Sequence, residues 1–223
     1  MTLRADLIAC QCQIPDLADI YERHFPDNAG RRFVEVGAFD GYQWSNTYAL
    51  TKLGWSGLLF EPMPEFYQMA VTRYADNPLV KIEPCAIADQ CGMVKLFAGG
   101  SMTTIQEDMI DVWARVPGLP AIHRDNPVEC EAHTLDCALA RHGITPDFDL
   151  LVIDAEGADD RVLKGFSLDH YRPHMVIVEL DITSAESVIR ERVDWITAHM
   201  TGHGYGNIYQ DAINTIFVRR HDA

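Results

Sequence analysis

The period of the apolar positions changes repeatedly along this chain, and the changes divide it into alternating strands and helices. Residues 32–36 form a short β-rich run that stops in a glycine turn at 37–41, and a helical stretch over about 44–53 follows, closed by Gly54. Residues 57–62 read as a second strand whose unbroken apolar run predicts burial on both faces, the habit of a parallel strand. A helix over about 64–74 sets Phe66, Met69, Ala70 and Arg73 at helical spacing. A third strand covers 80–87, with Pro84 predicting that it frays there, and a turn at 90–92 leads into the run 94–97. Thr104 and Glu107 have capping-box spacing and open a helix reaching about 115, before a Pro-bearing loop over 117–127 and a helix over 134–141. Strand 149–154, helix 159–166, strand 175–180 and helix 184–200 continue the alternation, and 206–209 with 215–218 read as an antiparallel pair.

Alternation of this kind predicts an α/β fold with a mostly parallel sheet, right-handed crossovers and helices on both faces. Ligands of such sheets bind beyond the carboxyl ends of the strands, where the strand order reverses. That rule selects residues 35–41, Glu61, residues 85–88, and Asp154 with Glu156. With no repeat or linker-like tract, residues 1–30 read as a helical extension and 31–223 as one domain, with a candidate lid or acceptor insert at 99–130.

The glycine turn becomes informative through its charge. A G-x-G-x-x-G loop offers its backbone to a pyrophosphate, but this chain has E-x-G-x-x-x-G over 35–41. Glu35 and Asp40 would repel phosphate and suit a ligand carrying an ammonium and a sulfonium, with Gly37, Ala38 and Gly41 supplying close backbone approach. Ser45 and Asn46 are available to that ligand's carboxylate. Glu61 stands 20 residues past Gly41, where a carboxylate accepts from both ribose hydroxyls, and Cys85, Ala86 and Ile87 make a small apolar surface for adenine beside Asp89. S-adenosylmethionine has all of these parts.

Composition narrows the partners. The chain is 48% hydrophobic and 23% charged, as packed globular proteins are, and its net charge of -15 repels phosphate polyanions and anionic lipid. Neither nucleic acid nor a membrane is an expected partner, and no apolar stretch approaches the roughly 20 residues of a membrane span. The six cysteines lack C-x-x-C spacing, which suits free thiols in a reducing, cytoplasmic setting.

Residues 35–41, Trp44-Ser45-Asn46-Thr47, the segment from Gly54 to Pro62, and the segment from Phe148 to Asp159 together resemble the FkbM-type methyltransferases. The resemblance spans roughly residues 31–181, and I-D-A-E-G-A-D at 153–159 is its most specific part. It implies a Rossmann-like class I methyltransferase fold, with a mostly parallel seven-stranded sheet closed by a C-terminal antiparallel pair. It further implies S-adenosyl-L-methionine as cofactor, with Pro62 and Asp154 among the residues that hold it, and O-methylation of a sugar or natural-product hydroxyl. The chain departs from the family pattern at Asp40, where many relatives have Asn, and over the insert 101–127.

Methyl transfer to a hydroxyl needs in-line positioning and a proton acceptor. Asp154, Glu156 and Glu179 stand at neighbouring strand ends and are the candidate catalytic carboxylates, with Asp181 nearby. Crowding raises their pKa values or calls for a cation; a divalent ion is the less favoured reading, and no metal ligands are assigned. His133 is an alternative base, and Trp113, His123 and Arg124 are candidate acceptor contacts in the insert. Two rival functions are a nicotinamide-dependent oxidoreductase, disfavoured by the missing G-x-G-x-x-G, and a non-catalytic methyltransferase-like binding domain.

Overall fold

The computed structural model describes residues 2–27 and 30–220. Met1, Asn28, Ala29 and residues 221–223, which fall within the expected extension and domain, lie outside the described residues.

The chain opens with α1 (Leu3–Ala9) and α2 (Leu17–His24), then β1 (Arg32–Val36), α3 (Tyr48–Lys52), β2 (Ser56–Phe60), α4 (Pro64–Arg73) and β3 (Val80–Glu83). Next come β4 (Ala86–Ile87), β5 (Gly92–Leu96), α5 (Glu107–Trp113), β6 (Val128–His133), α6 (Leu135–Arg141) and β7 (Leu150–Ile153). The last part is α7 (Asp159–Lys164), α8 (Leu168–Tyr171), β8 (Met175–Glu179), α9 (Ser187–Gly202), β9 (Tyr205–Gln210) and β10 (Asn214–Arg219).

Seven strands form the main sheet in the order β3-β2-β1-β7-β8-β10-β9. Val34 of β1 pairs in parallel with Leu58 of β2 and Leu151 of β7, whereas β10 runs antiparallel to both β8 and β9. The order reverses between β1 and β7, so a crevice opens beyond the carboxyl ends of these two strands. The central strands are apolar because both faces are covered: Val34, Leu58, Leu151 and Val178 join one core cluster, and Phe33, Leu59, Leu150 and Ile177 join the other. The N-terminal segment belongs to that second cluster, where Leu7, Leu17, Tyr21 and Phe25 pack against Phe33 and Trp55. Among the described residues no helix is long and apolar enough to cross a membrane.

Several local expectations are corrected. A second, three-stranded sheet, β4-β6-β5, stands apart from the main one, because Pro84 cannot donate to a ladder and divides the expected strand 80–87 into β3 and β4. Strand β6 was not expected and takes residues 128–130 out of the insert; its Val128-Glu129-Cys130-Glu131-Ala132 alternation of apolar and acidic residues carries the period of two that marks a strand. The helix expected from 104 begins at Glu107 with Gln106 as its N-cap, because the Thr104 hydroxyl donates to the Glu156 carbonyl at 2.7 Å and accepts from Gln106 N at 3.0 Å, outside the helix. The helix expected from 44 begins at Tyr48: Trp44 has a φ of 61°, and Ser45 Oγ accepts from the backbone N–H of Thr47 and of Tyr48.

Candidate active site

A cavity of about 360 Å³ lies at the sheet reversal, lined by the carboxyl ends of β1, β2, β7 and β8, by β4, and by residues of the insert. Its size is within the ~300–1,000 Å³ usual for small-molecule sites. The β1 and β7 ends are joined tightly: Asp154 N donates to Val36 O at 3.0 Å, and Gly37, at φ +84°, lies where a Cβ would come within 1.7 Å of the Asp154 carbonyl oxygen. Only glycine fits there.

Glu35 is buried at the end of β1, accepts a 2.7 Å hydrogen bond from Thr47 Oγ1, and is pushed up to about 8, chiefly by desolvation. Glu61, at the end of β2, accepts from the backbone N–H of Phe39 on one oxygen and of Met63 on the other, each at 2.8 Å, and burial pushes it up to about 7. Both line the cavity with Gly37, Ala38, Ser45, Asn46, Pro62, Cys85, Ala86, Ile87 and Asp154. Asp40 and Gly41 do not. Asp40 Oδ1 accepts from the N–H of Tyr42 at 2.8 Å and Gln43 at 2.7 Å, with Arg73 at 3.9 Å from its other oxygen, so this carboxylate caps its own turn. Gly41, at φ +72°, gives its carbonyl to the Tyr74 hydroxyl. Asp40→Ala is expected to cost about 1–3 kcal/mol, from two orphaned N–H groups, and to change affinity for the demethylated cofactor less than about threefold. Thermal unfolding and calorimetric titration of the variant check both.

Asp89 also turns away from the expected adenine surface: its carboxylate takes a 2.7 Å hydrogen bond from Arg161 Nε.

At the carboxyl ends of β7 and β8, Asp154, Glu156 and Glu179 converge, each offering an oxygen within 4.8 Å of the other two. The Asp154 carboxyl is hydrogen-bonded to Glu179, while its Oδ1 has no partner and no exposed surface. Desolvation raises all three, and repulsion from neighbouring carboxylates raises Glu156 and Glu179 further, well above the ordinary value. Glu156 is held at φ +49°, a conformation uncommon for a residue with a side chain, between Thr104 on its carbonyl and Gly157 beside Met109. Asp181 stays out of the group, its Oδ1 accepting from Thr183 N at 3.0 Å and Thr183 Oγ1 at 2.8 Å.

His133 lies outside the cavity, in a separate polar pocket with Arg141 and Glu131 at 2.7 and 3.2 Å from its Nε2, so it cannot serve as base. Of the insert, Gly100, Ser101, Met102, Thr103, Ile105, Leu119 and Pro120 line the cavity. Trp113 instead packs against Met109, Val112 and Ile189; Arg124 pairs with Asp111; His123 N donates to Ala98 O. Phe39, within the selected turn 35–41, lines the cavity too, as do Gln13, Trp44 and Phe66, to which the sequence reading assigned no role at the site. Phe39 packs 4.3 Å from Phe66 and stacks 5.7 Å from Trp44. Their one signal was three aromatic residues within a few positions of the glycine turn and Glu61.

Glu35, Glu61 and Asp159, the last also pushed up to about 7, bind protons more tightly folded than unfolded. The stability they contribute is full below about 4.5 for the glutamates and about 3.8 for the aspartate, and is lost as pH rises through 7 to 8. The ligand-free protein is therefore expected to melt several degrees lower at pH 8 than at pH 5, and calorimetric scans across that range check it.

A family model described as the methyltransferase FkbM domain matches residues 35–205. No curated protein matches the chain. Among solved structures, a Klebsiella pneumoniae protein described as an O-methyltransferase aligns at a TM-score of 0.53 with 12% identity, over 98% of this chain and 88% of its own. The METTL16 methyltransferase domain aligns at 0.50 with 13% identity, over 92% and 68% of the two chains. TomG, an O-methyltransferase from Streptomyces achromogenes solved with S-adenosylmethionine, aligns at 0.48 with 16% identity, over 97% and 88%. At these identities the structural likeness speaks to the fold, which is that of class I methyltransferases.

Proposed function

This chain belongs to the methyltransferase FkbM domain family and is an S-adenosylmethionine-dependent methyltransferase, and from that premise we propose that it methylates a hydroxyl oxygen of a small acceptor, a carbohydrate or another natural product. The observation that carries the choice of a hydroxyl is the group of three carboxyls, Asp154, Glu156 and Glu179, raised in pKa at the carboxyl ends of β7 and β8.

The lining suits the cofactor. Among the described residues it contains five carboxyl groups (Glu35, Glu61, Asp154, Glu156 and Glu179) and no Lys, Arg or His. That donor set favours a ligand with an ammonium and a sulfonium and repels a pyrophosphate, so the nicotinamide alternative is set aside. Glu61, its oxygens already oriented by two backbone N–H groups, would accept from the ribose hydroxyls. Gly37 and Ala38 would present backbone to the methionine portion, Ser45 and Asn46 would meet its carboxylate, and Glu35 and Asp154 would balance its positive charge. Cys85, Ala86 and Ile87 would face adenine, with Pro62 beside them. When bound, the cofactor supplies a methyl group on a sulfonium that leaves as a neutral thioether.

The remaining work belongs to the acceptor side. Glu156 and Glu179, with Asp154, orient the hydroxyl and take its proton, a task for which a carboxylate of raised pKa is better matched than an ordinary one. Met102, Leu119 and Pro120 cover the cavity with apolar surface and exclude water from the transfer. Six unpaired cysteines support a cytoplasmic setting, and the acidic lining supports a small acceptor over nucleic acid or lipid. Acceptors paired with their deoxy analogues test the reading: turnover is expected with the hydroxyl and not without it. Equal methylation of the deoxy compound would mean that another atom is the nucleophile.

A further inference from the structure

We propose that the acceptor is a phosphate-free amino alcohol, such as an amino sugar, held by its ammonium group at Glu156 and Glu179 while the neighbouring hydroxyl is methylated. The inference rests on the O-methylation reading above and adds the chemical class of the acceptor.

The argument begins with charge. The bound cofactor brings two positive centres and one carboxylate, and the cavity faces it with five carboxyls and no basic side chain. Glu61 is engaged by backbone N–H groups and Glu35 by Thr47, so both already have protein donors. At the ends of β7 and β8, Asp154 and Glu179 are hydrogen-bonded to each other, and Asp154 Oδ1 has no partner. With Glu35 and Asp154 set against the two positive centres of the cofactor, Glu156 and Glu179 are left without a counter-charge, and a cationic group on the acceptor offsets part of theirs.

Geometry narrows its kind. Three oxygens no more than 4.8 Å apart leave a point within about 2.8 Å of all of them, the spacing of an N–H donor to a carboxylate. An ammonium carries three such donors. An amine on the carbon next to the reacting hydroxyl brings cation and nucleophile to the same group of carboxyls, one oxygen taking the hydroxyl proton while the others hold the ammonium. The oxygen would bond to the methyl as the sulfur–methyl bond breaks and its electron pair stays on the neutral thioether, while the hydroxyl proton stays on the carboxylate and the ammonium is unchanged. A phosphate or nucleoside diphosphate on the acceptor would instead enter a cavity with no cation to receive it.

Four versions of one sugar, bearing an amine, a hydroxyl or an N-acetyl group beside the reacting hydroxyl, or a phosphate elsewhere, separate the possibilities with the full chain and cofactor. The amine is expected to exceed the hydroxyl and N-acetyl versions in kcat/KM by roughly 10- to 100-fold, with no turnover of the phosphate. Calorimetry of the amine binding to protein saturated with demethylated cofactor should show proton release, read as a dependence of the heat on buffer ionisation. Glu179→Gln should reduce the amine-to-hydroxyl ratio to within about threefold and leave affinity for the demethylated cofactor within about threefold. Equal rates for amine and hydroxyl overturn the amine while leaving O-methylation standing; methylation of nitrogen overturns O-methylation itself. A tenfold loss of cofactor affinity in Glu179→Gln would assign the group to the cofactor, and a requirement for added Mg²⁺ or Ca²⁺ would assign it to a metal, and either result ends the proposal.

Discussion

Gly37→Ala is expected to abolish binding of the demethylated cofactor and to lower the melting temperature by on the order of 10 °C. Two costs add at this position. The backbone is at φ +84°, which a residue with a Cβ adopts only with strain, and the new methyl would sit 1.7 Å from the Asp154 carbonyl oxygen. The obstacle is backbone on a neighbouring strand end, so no side-chain rotation relieves it. The β1 and β7 ends must separate, which breaks the 3.0 Å bond from Asp154 N to Val36 O and moves Gly37, Ala38 and Asp154 together. Titration calorimetry and thermal unfolding read the two effects. A variant that melts lower yet binds normally would show that the strand junction stabilises the fold without shaping the cofactor site.

The second large effect is on chemistry. Glu156→Gln should lower kcat by about 10²- to 10⁴-fold while changing affinity for the demethylated cofactor only a few-fold, because it removes a proton acceptor and keeps the shape. Glu156→Gly separates the roles further. It releases the φ +49° strain, which costs about 1–3 kcal/mol, so the glycine variant should melt no lower than the glutamine variant and be equally inactive. Single-turnover rates and melting curves check both. Full activity in the glutamine variant would remove Glu156 from the reaction and leave Asp154 or Glu179 as the acceptor of the proton.

How much of this was legible beforehand depends on the kind of signal. Buried parallel strands are continuous apolar runs, so β1, β2, β7 and β8, and the strand ends bearing Glu35, Glu61, Asp154 and Glu179, could be read from their residues. Asp40 shows the limit. Its charge suggested a ligand contact, but an aspartate that can reach two backbone N–H groups in its own turn takes them first, and composition does not say which way it faces. His133 was misread for a related reason: it ends a strand whose pairing in a second sheet was not expected, and that sheet turns it toward Arg141. Gln13 and Trp44 reach the cavity through tertiary packing, Gln13 from a segment read as an extension, and no local pattern carries that information. The alternation of Val128 to Ala132, in contrast, was present and unused.

Transfer of a ¹³C-labelled methyl group from the cofactor to an amino-sugar acceptor, followed by NMR of the product, bears most directly on the central claim. The account predicts a single O-methyl resonance that disappears with the deoxy acceptor and falls at least a hundredfold in rate in Glu156→Gln, in line with the loss of a general base. An N-methyl resonance, or an O-methyl product formed as fast by Glu156→Gln as by the unaltered protein, would contradict it.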